Sequence, residues 1–394
     1  MKFYIKSLGC RVNQYESEVI AENLYNIGFK RANKENAELI IVKACAVTLE
    51  AERKVIRFVR SVLKKKIKVW VVGCFTHFLI EKLDHSNIEF FTNYDIREKF
   101  GIKNEKIKEF FGHTRAFLKI QDGCNSYCSY CIIPRLRNKL ECKSPELVKE
   151  EFIELLEQGF KEIVITGINI GLYGNKKLCK LLEDLNSLKG DFRIRLGSLD
   201  PRDITETLSN SFYGHVMPHI HLSLQSGSDN IIKLMNRKYS SSDILKKISL
   251  MRQINDKFEF TADVIVGFPK ETEYDFEETI RVVKESEFSH IHIFPFSSRP
   301  GTKAFEMKPI SPKIIKKRVE RLKIIRDEFH KKRCEKYIGE TLKILVEEKR
   351  GDFFSGLTEN YIRVYFKGYA KRNTFINVKI IGIFNGELLG KIID

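Results

Sequence analysis

Cys124-Asn125-Ser126-Tyr127-Cys128-Ser129-Tyr130-Cys131 sets three thiols on one short loop, directly after an apolar run at 115–121 that has a strand's pattern. The chain's start, Met1-Lys2-Phe3-Tyr4, runs straight into another strand pattern and shows no export signal. Closely spaced thiols in such a chain read as a metal site rather than as disulfides. Three thiolates hold three irons of a four-iron, four-sulfur cluster and leave the fourth open to a substrate or cofactor. Structural zinc is the competing reading. It needs a fourth Cys or His nearby, and no histidine lies between His113 and His215. A disulfide oxidoreductase would need one pair of thiols, not three.

The loop, with Tyr130 just before its last cysteine, resembles the cluster loop of radical S-adenosylmethionine (SAM) enzymes, in which the cofactor's amino and carboxylate groups chelate the open iron. From residue 115 onward strand patterns at 115–121, 162–166, 192–197, 219–224, 260–266 and 290–296 alternate with helical segments. Six such units predict a partial (β/α)6 barrel, with its site on loops at the strands' carboxyl ends. The later strand ends supply a candidate cofactor cradle. Gly167 and Asn169 end the second strand, Gln225 and Ser226 the fourth, and Gly267 and Pro269 the fifth. Each is also an ordinary turn signal, and their shared position is what groups them. Arg193, Arg195 and Arg237 could hold the cofactor's carboxylate or an RNA phosphate, or be structurally paired. His219, His221, His290 and His292 read as core or rim residues.

The first hundred residues also alternate: strands at 2–8, 38–43 and 68–73, helices at 13–27 and 49–63. This predicts an open parallel sheet. Cys10, Cys45 and Cys74 each fall just after a strand, so sequence separation is misleading: parallel neighbours lie about 5 Å apart. The carboxyl edge is where open α/β sheets place ligands. A second three-thiol cluster site is the expectation, against the alternative of three unrelated cysteines. Cys142, Cys179 and Cys334 have no ligand-like neighbours and read as ordinary thiols.

Sixty-nine basic residues against 52 acidic ones give the 394-residue chain a formal charge of +17, which favours a polyanionic partner. No apolar run reaches the length of a membrane span. Residues 312–337 form an amphipathic helix whose outer face is basic, either a solvated surface or a track for an RNA backbone. After Gly339, strand patterns at 342–347, 361–366, 375–383 and 387–393 predict a small antiparallel barrel. Tyr361, Arg363, Tyr365, Lys367, Tyr369, Lys371 and Arg372 give it the aromatic and basic mixture of a nucleic-acid binder, although alternation could turn half of them inward.

Across essentially its full length the chain resembles the radical SAM methylthiotransferases, and most resembles those that act on threonylcarbamoyladenosine at tRNA position 37. The resemblance rests on 8–17 (Leu-Gly-Cys-Arg-Val-Asn-Gln-Tyr-Glu-Ser), 121–134, 166–168, 221–229, 235–239, 263–269 and 299–302. It departs at Lys43-Ala44-Cys45-Ala46, where the family has polar residues, and at Arg135-Leu136-Arg137-Asn138-Lys139, where the family has a glycine and arginine-rich segment. The second departure puts local RNA contacts in question. The resemblance implies a cluster domain at 1–112, a radical SAM barrel with its basic helix at 113–337 and a TRAM domain at 338–394. It implies two 4Fe-4S clusters and SAM as cofactors. Cys124, Cys128 and Cys131 would serve radical formation, and Cys10, Cys45 and Cys74 sulfur delivery. The expected partners are a tRNA anticodon loop, a low-potential electron donor such as flavodoxin or ferredoxin, and a sulfur source, for a cytoplasmic monomer. Alternatives are methylthiolation of isopentenyladenosine or of a ribosomal-protein aspartate, and a non-enzymatic iron-sulfur RNA-binding redox sensor.

Overall fold

Strand β3, Leu39–Ala44, is buried at every position, as the central strand of a parallel sheet covered on both faces must be. With β1 Lys2–Ser7, β2 Lys30–Arg31, β4 Lys68–Gly73 and β5 Ile88–Phe91 it forms a sheet ordered β2-β1-β3-β4-β5. Every pairing is parallel. Sequence pattern predicts β1, β3 and β4. It misses β2, a two-residue edge, and β5, which is only half-buried and so lacks a covered strand's apolar run. This computed structural model describes residues 1–45, 47–65, 67–74, 79–83, 86–102, 106–107 and 110–393. Helix Leu49–Leu63 starts where the Thr48 hydroxyl accepts the Ala51 amide, and turns Val55, Val59 and Val62 onto the sheet.

The six expected parallel strands of the central unit are all present: β6 Ala116–Asp122, β8 Glu162–Gly167, β9 Arg193–Leu196, β11 His219–Gln225, β12 Glu259–Val266 and β13 His290–Pro295. Two short strands escape the sequence pattern. β7, Glu141–Cys142, pairs antiparallel on the outer edge of β6, and β10, Ser198–Leu199, joins β11. The ladder divides into sheets ordered β7-β6-β8-β9 and β10-β11-β12-β13, bridged at Ile194 and Val216. Helix Pro312–Glu335 lies beyond β13 and buries Val319, Leu322 and Ile325 in the barrel's core. From the other side, Tyr15 and Val19 of helix Arg11–Asn26 enter that core. No helix of the described residues is long and apolar enough to cross a membrane.

The C-terminal barrel has five strands: β14 Thr341–Arg350, β15 Phe353–Thr358, β16 Arg363–Lys367, β17 Phe375–Phe384 and β18 Glu387–Ile393. It closes in the order β14-β15-β16-β18-β17, antiparallel except for the β16–β18 seam. β15 escapes the sequence pattern because Ser355-Gly356 interrupts its apolar run. Gly356 admits β14, since a Cβ there would meet the Leu345 carbonyl at 2.3 Å.

Two arginines latch this barrel to the amino-terminal ends of the central strands. Arg193 donates to the carbonyls of Leu357 and Lys343, and Arg195 to those of Glu359 and Thr358. Both surround fully buried Glu162, with Arg195 Nε 2.8 Å from its carboxylate. Neither is therefore available to a cofactor carboxylate or a phosphate. Tyr361 stacks on His219 and accepts a hydrogen bond from Arg115, while Arg372 bonds Thr114 and the Gly112 carbonyl. These two belong to the seam between units and not to the exposed aromatic and basic surface expected from the sequence.

Candidate active site

The register of the N-terminal sheet gathers its three cysteines. Ser7 of β1 pairs with Lys43 of β3, and Ala44 with Gly73 of β4, so Cys10, Cys45 and Cys74 leave one edge of adjacent strands. Gly73 permits that closeness: a Cβ there would lie 2.6 Å from the Ala44 carbonyl. The Asn13 side chain donates to the same carbonyl at 3.0 Å, tying the helix behind Cys10 to the end of β3. Burial pushes the Cys45 thiol up to about 11, and charge on Cys10 and then Cys74 adds to it. Three thiolates together are unstable there without a cation among them.

The central triplet is held by the barrel's loops. Gly123 has φ +77°, and a Cβ on it would lie 1.9 Å from the Lys139 carbonyl, so only glycine passes. Ser129 is hydrogen-bonded at its amide to Met235, at its hydroxyl to Leu234 and at its carbonyl to Ala304. Burial pushes Cys131 up to about 12, with Cys128 and Cys124 adding their charge. Among the described residues no three His, Cys, Asp or Glu side chains converge as a single-ion site requires. The donor set at each site is three mutually repelling thiols with N–H donors nearby, which suits an iron-sulfur group: its irons take the thiolates and the N–H groups meet the negative sulfurs.

The cradle residues divide. Asn169 lies beside the triplet, its side chain 3.4 Å from Ser126 Oγ and its amide bonded to Gln121. Gly167 packs on Gln121. Arg237 donates to Cys128 Sγ at 3.4 Å and pairs with Asp200 at 3.0 Å. Tyr130 is close enough to Arg237 and Cys128 to feel both charges, although burial dominates and raises its hydroxyl. Gln225 takes a left-handed turn at φ 63°, and the Ser226 hydroxyl bonds the Ser228 amide within that turn and Thr279 on the helix Glu273–Ser286. Gly267 faces Ile315, 2.4 Å from a notional Cβ, and so makes room for the long helix; Pro269 is buried behind it.

The N-terminal sheet edge faces the barrel's carboxyl end and is fastened along two seams. Beyond β13, Arg299 pairs with Glu52 at 2.7 Å and Ser297 accepts the Leu49 amide. Beside β6, Arg137 bonds Glu16 and Asp122, and its Nε donates to Cys74 Sγ at 2.8 Å. Lys43 and Lys119 complete this buried cluster through Glu16. Sequence pattern assigns no role to Glu16, Asn93 or Asp122, and places Arg137 only in a segment whose RNA contacts are in question. Lys43 was the available clue, because a lysine inside an all-buried strand requires a carboxylate.

A thiol triplet closing the first strand of an open six-stranded barrel defines a radical SAM protein, and the family model for the radical SAM superfamily matches residues 118–283. That superfamily brings SAM and a 4Fe-4S cluster. A second model, uncharacterized protein family UPF0004, matches residues 2–91. Threonylcarbamoyladenosine tRNA methylthiotransferase MtaB of Chlamydia pneumoniae is 36% identical over 99% of this chain and 98% of its own length. The protein of the same name from Thermotoga maritima is 36% identical over 92% and 91%. The tRNA-2-methylthio-N(6)-dimethylallyladenosine synthase of Protochlamydia amoebophila is 32% identical over 99% and 96%. The chain belongs to the radical SAM methylthiotransferase family and is an enzyme. In fold alone it is similar to the radical SAM methyltransferase TsrM of Kitasatospora setae, with a TM-score of 0.56 at 12% identity over 77% of this chain and 76% of that one.

Proposed function

We propose that the protein adds a methylthio group to C2 of N6-threonylcarbamoyladenosine at position 37 of tRNA. One 4Fe-4S cluster is held by Cys124, Cys128 and Cys131, and a second by Cys10, Cys45 and Cys74. The observation that carries this is the pair of thiol triads at facing strand ends, in a chain whose full-length relatives include two at 36% identity named for that reaction. When bound, SAM and a 4Fe-4S cluster on Cys124, Cys128 and Cys131 would supply the radical chemistry at C2, and a cluster on Cys10, Cys45 and Cys74 would supply the sulfur, with SAM as the methyl donor.

The chain's own residues position and enclose. Arg237, tethered to Asp200, orients Cys128, and Asn169 lies against the loop at Ser126. The seams at Arg299–Glu52 and Arg137–Glu16 hold the two units together around the base and keep water out. A half-buried cation favours the acidic threonyl group over an apolar isopentenyl one. Arg11, next to Cys10, has no ion-pair partner among the described residues, and its charge helps to hold His219 and His292 down, after burial and nearer charges. The base reaches the site splayed from the anticodon loop. The enzyme acts as a cytoplasmic monomer, with a flavodoxin or ferredoxin as electron donor and a separate sulfur source. Its cluster domain spans 1–112, its radical barrel 113–337 and its TRAM domain 338–394.

The test is mass spectrometry of tRNA nucleosides from a strain lacking the gene. The methylthiolated threonylcarbamoyl nucleoside should vanish. Its persistence, with loss of the isopentenyl counterpart or of a methylthiolated ribosomal aspartate, would reject this substrate.

A further inference from the structure

Cys74 differs from the other five clustered thiols in what donates to it. Arg137 Nε lies 2.8 Å from its sulfur and Asn93 Nδ2 3.2 Å. In the barrel triplet the corresponding contacts are longer: Arg237 Nη1 to Cys128 at 3.4 Å, and the Ser126 amide to Cys124 at 3.5 Å. Arg137 cannot swing away. It is 4% exposed, its Nη1 and Nη2 are fastened to Glu16 at 2.6 and 2.8 Å, and Nη1 also reaches both oxygens of Asp122 at 2.7 and 2.9 Å. The charge balance points the same way. Around Cys74, the buried cations Arg137, Lys43 and Lys119 outnumber the carboxylates Glu16 and Asp122.

Hydrogen bonds and positive charge at a ligating sulfur stabilise the more negative, reduced form of a cluster and so raise its potential. We propose that Arg137 is a positioning residue for the N-terminal cluster: it orients the Cys74 thiolate and sets that cluster's reduction potential above that of the barrel cluster. The same guanidinium grips Asp122, two residues before Cys124, so one side chain also fixes the two cysteine loops relative to each other. Electrons entering the protein then settle first on the sulfur-delivering site. The inference rests on the N-terminal triad carrying a cluster.

The experiment uses full-length protein in which Cys124, Cys128 and Cys131 are replaced by alanine, reconstituted anaerobically and titrated under electron paramagnetic resonance. Absence of any iron-sulfur signal would sink the two-cluster reading itself, and this inference with it. With the cluster present, Arg137→Met should raise the oxidised-to-reduced ratio about tenfold at the potential where the parent is half reduced, corresponding to about 59 mV for a one-electron couple. Arg137→Lys, which keeps the charge without the Nε donor, and Asn93→Leu should shift it less in the same direction. A residue that only stabilised the fold would change the melting temperature and leave the ratio alone. A ratio within twofold of the parent in Arg137→Met overturns the inference. Should that variant fail to fold, unshifted ratios in both Arg137→Lys and Asn93→Leu overturn it equally.

Discussion

Replacing Arg195 with methionine removes a guanidinium that donates to the Glu359 carbonyl at 2.7 Å and the Thr358 carbonyl at 2.6 Å while touching Glu162 at 2.8 Å. Among the described residues Glu162 keeps Arg115 at 3.8 Å and Arg193 at 4.0 Å, and it is wholly buried. Two charge-assisted hydrogen bonds at about 1.5–3 kcal/mol each and one broken buried pair at about 3–5 kcal/mol describe the same loss. The expected cost is therefore about 3 kcal/mol. It falls on the C-terminal barrel, because a unit of that size buries little core and depends on its dock. Hydrogen exchange on the intact, cluster-loaded protein should therefore show β14–β16 amides exchanging about a hundredfold faster, at about 1.4 kcal/mol per decade. Amides of β1, β3 and β4 should be unaffected. Protection of β14–β16 within threefold of wild type, or equal loosening of both regions, would refute the latch.

Cys10→Ala should retain SAM cleavage but abolish methylthio transfer, read as 5′-deoxyadenosine formed without modified nucleoside; continued transfer would contradict the assigned division of labour. Gly123→Ala drives a methyl group into the Lys139 carbonyl, so the barrel loop must distort and bound iron should fall by about four atoms per chain. Arg11→Gln should raise KM about tenfold or more for tRNA bearing the threonylcarbamoyl carboxylate, and much less for its methyl ester. Burial and then the charge of Asp200 raise the Asp203 carboxyl to about 6, so the folded chain holds that proton more tightly than the unfolded chain. The stability this confers is full below about pH 3.8 and is lost as pH rises through about 6. Asp203→Asn should remove that fall, gaining up to about 2 kcal/mol at pH 7 after allowance for solvent screening, as measured by denaturation at two pH values.

Strand-and-helix alternation marked the six barrel strands to within one or two residues, because the first five are short covered runs bounded by turn residues and the half-exposed β13 still carries a β-branched, aromatic-rich run. Short or interrupted strands escape it: β2 has two residues, β5 is a half-buried edge of four, and β15 is interrupted by Ser355-Gly356. The cradle shows another limit. Gly267 and Ser226 have cofactor-loop residue types, and each also has a packing role that the sequence does not show: Gly267 makes room for Ile315 and Ser226 bonds Thr279. Residue type at a strand end does not say which neighbour uses it.

From the sequence alone came the two thiol triads and the sheet edges that carry them, since thiol chemistry and strand periodicity are local properties of the chain. Tertiary structure alone decided which arginine does what. Arg193 and Arg195 fasten the C-terminal barrel, Arg137 turns to Cys74, and Arg237 turns to Cys128. A guanidinium is chemically alike at every position, so its role follows from the partners that folding brings within hydrogen-bond reach, and those partners are often more than a hundred residues away.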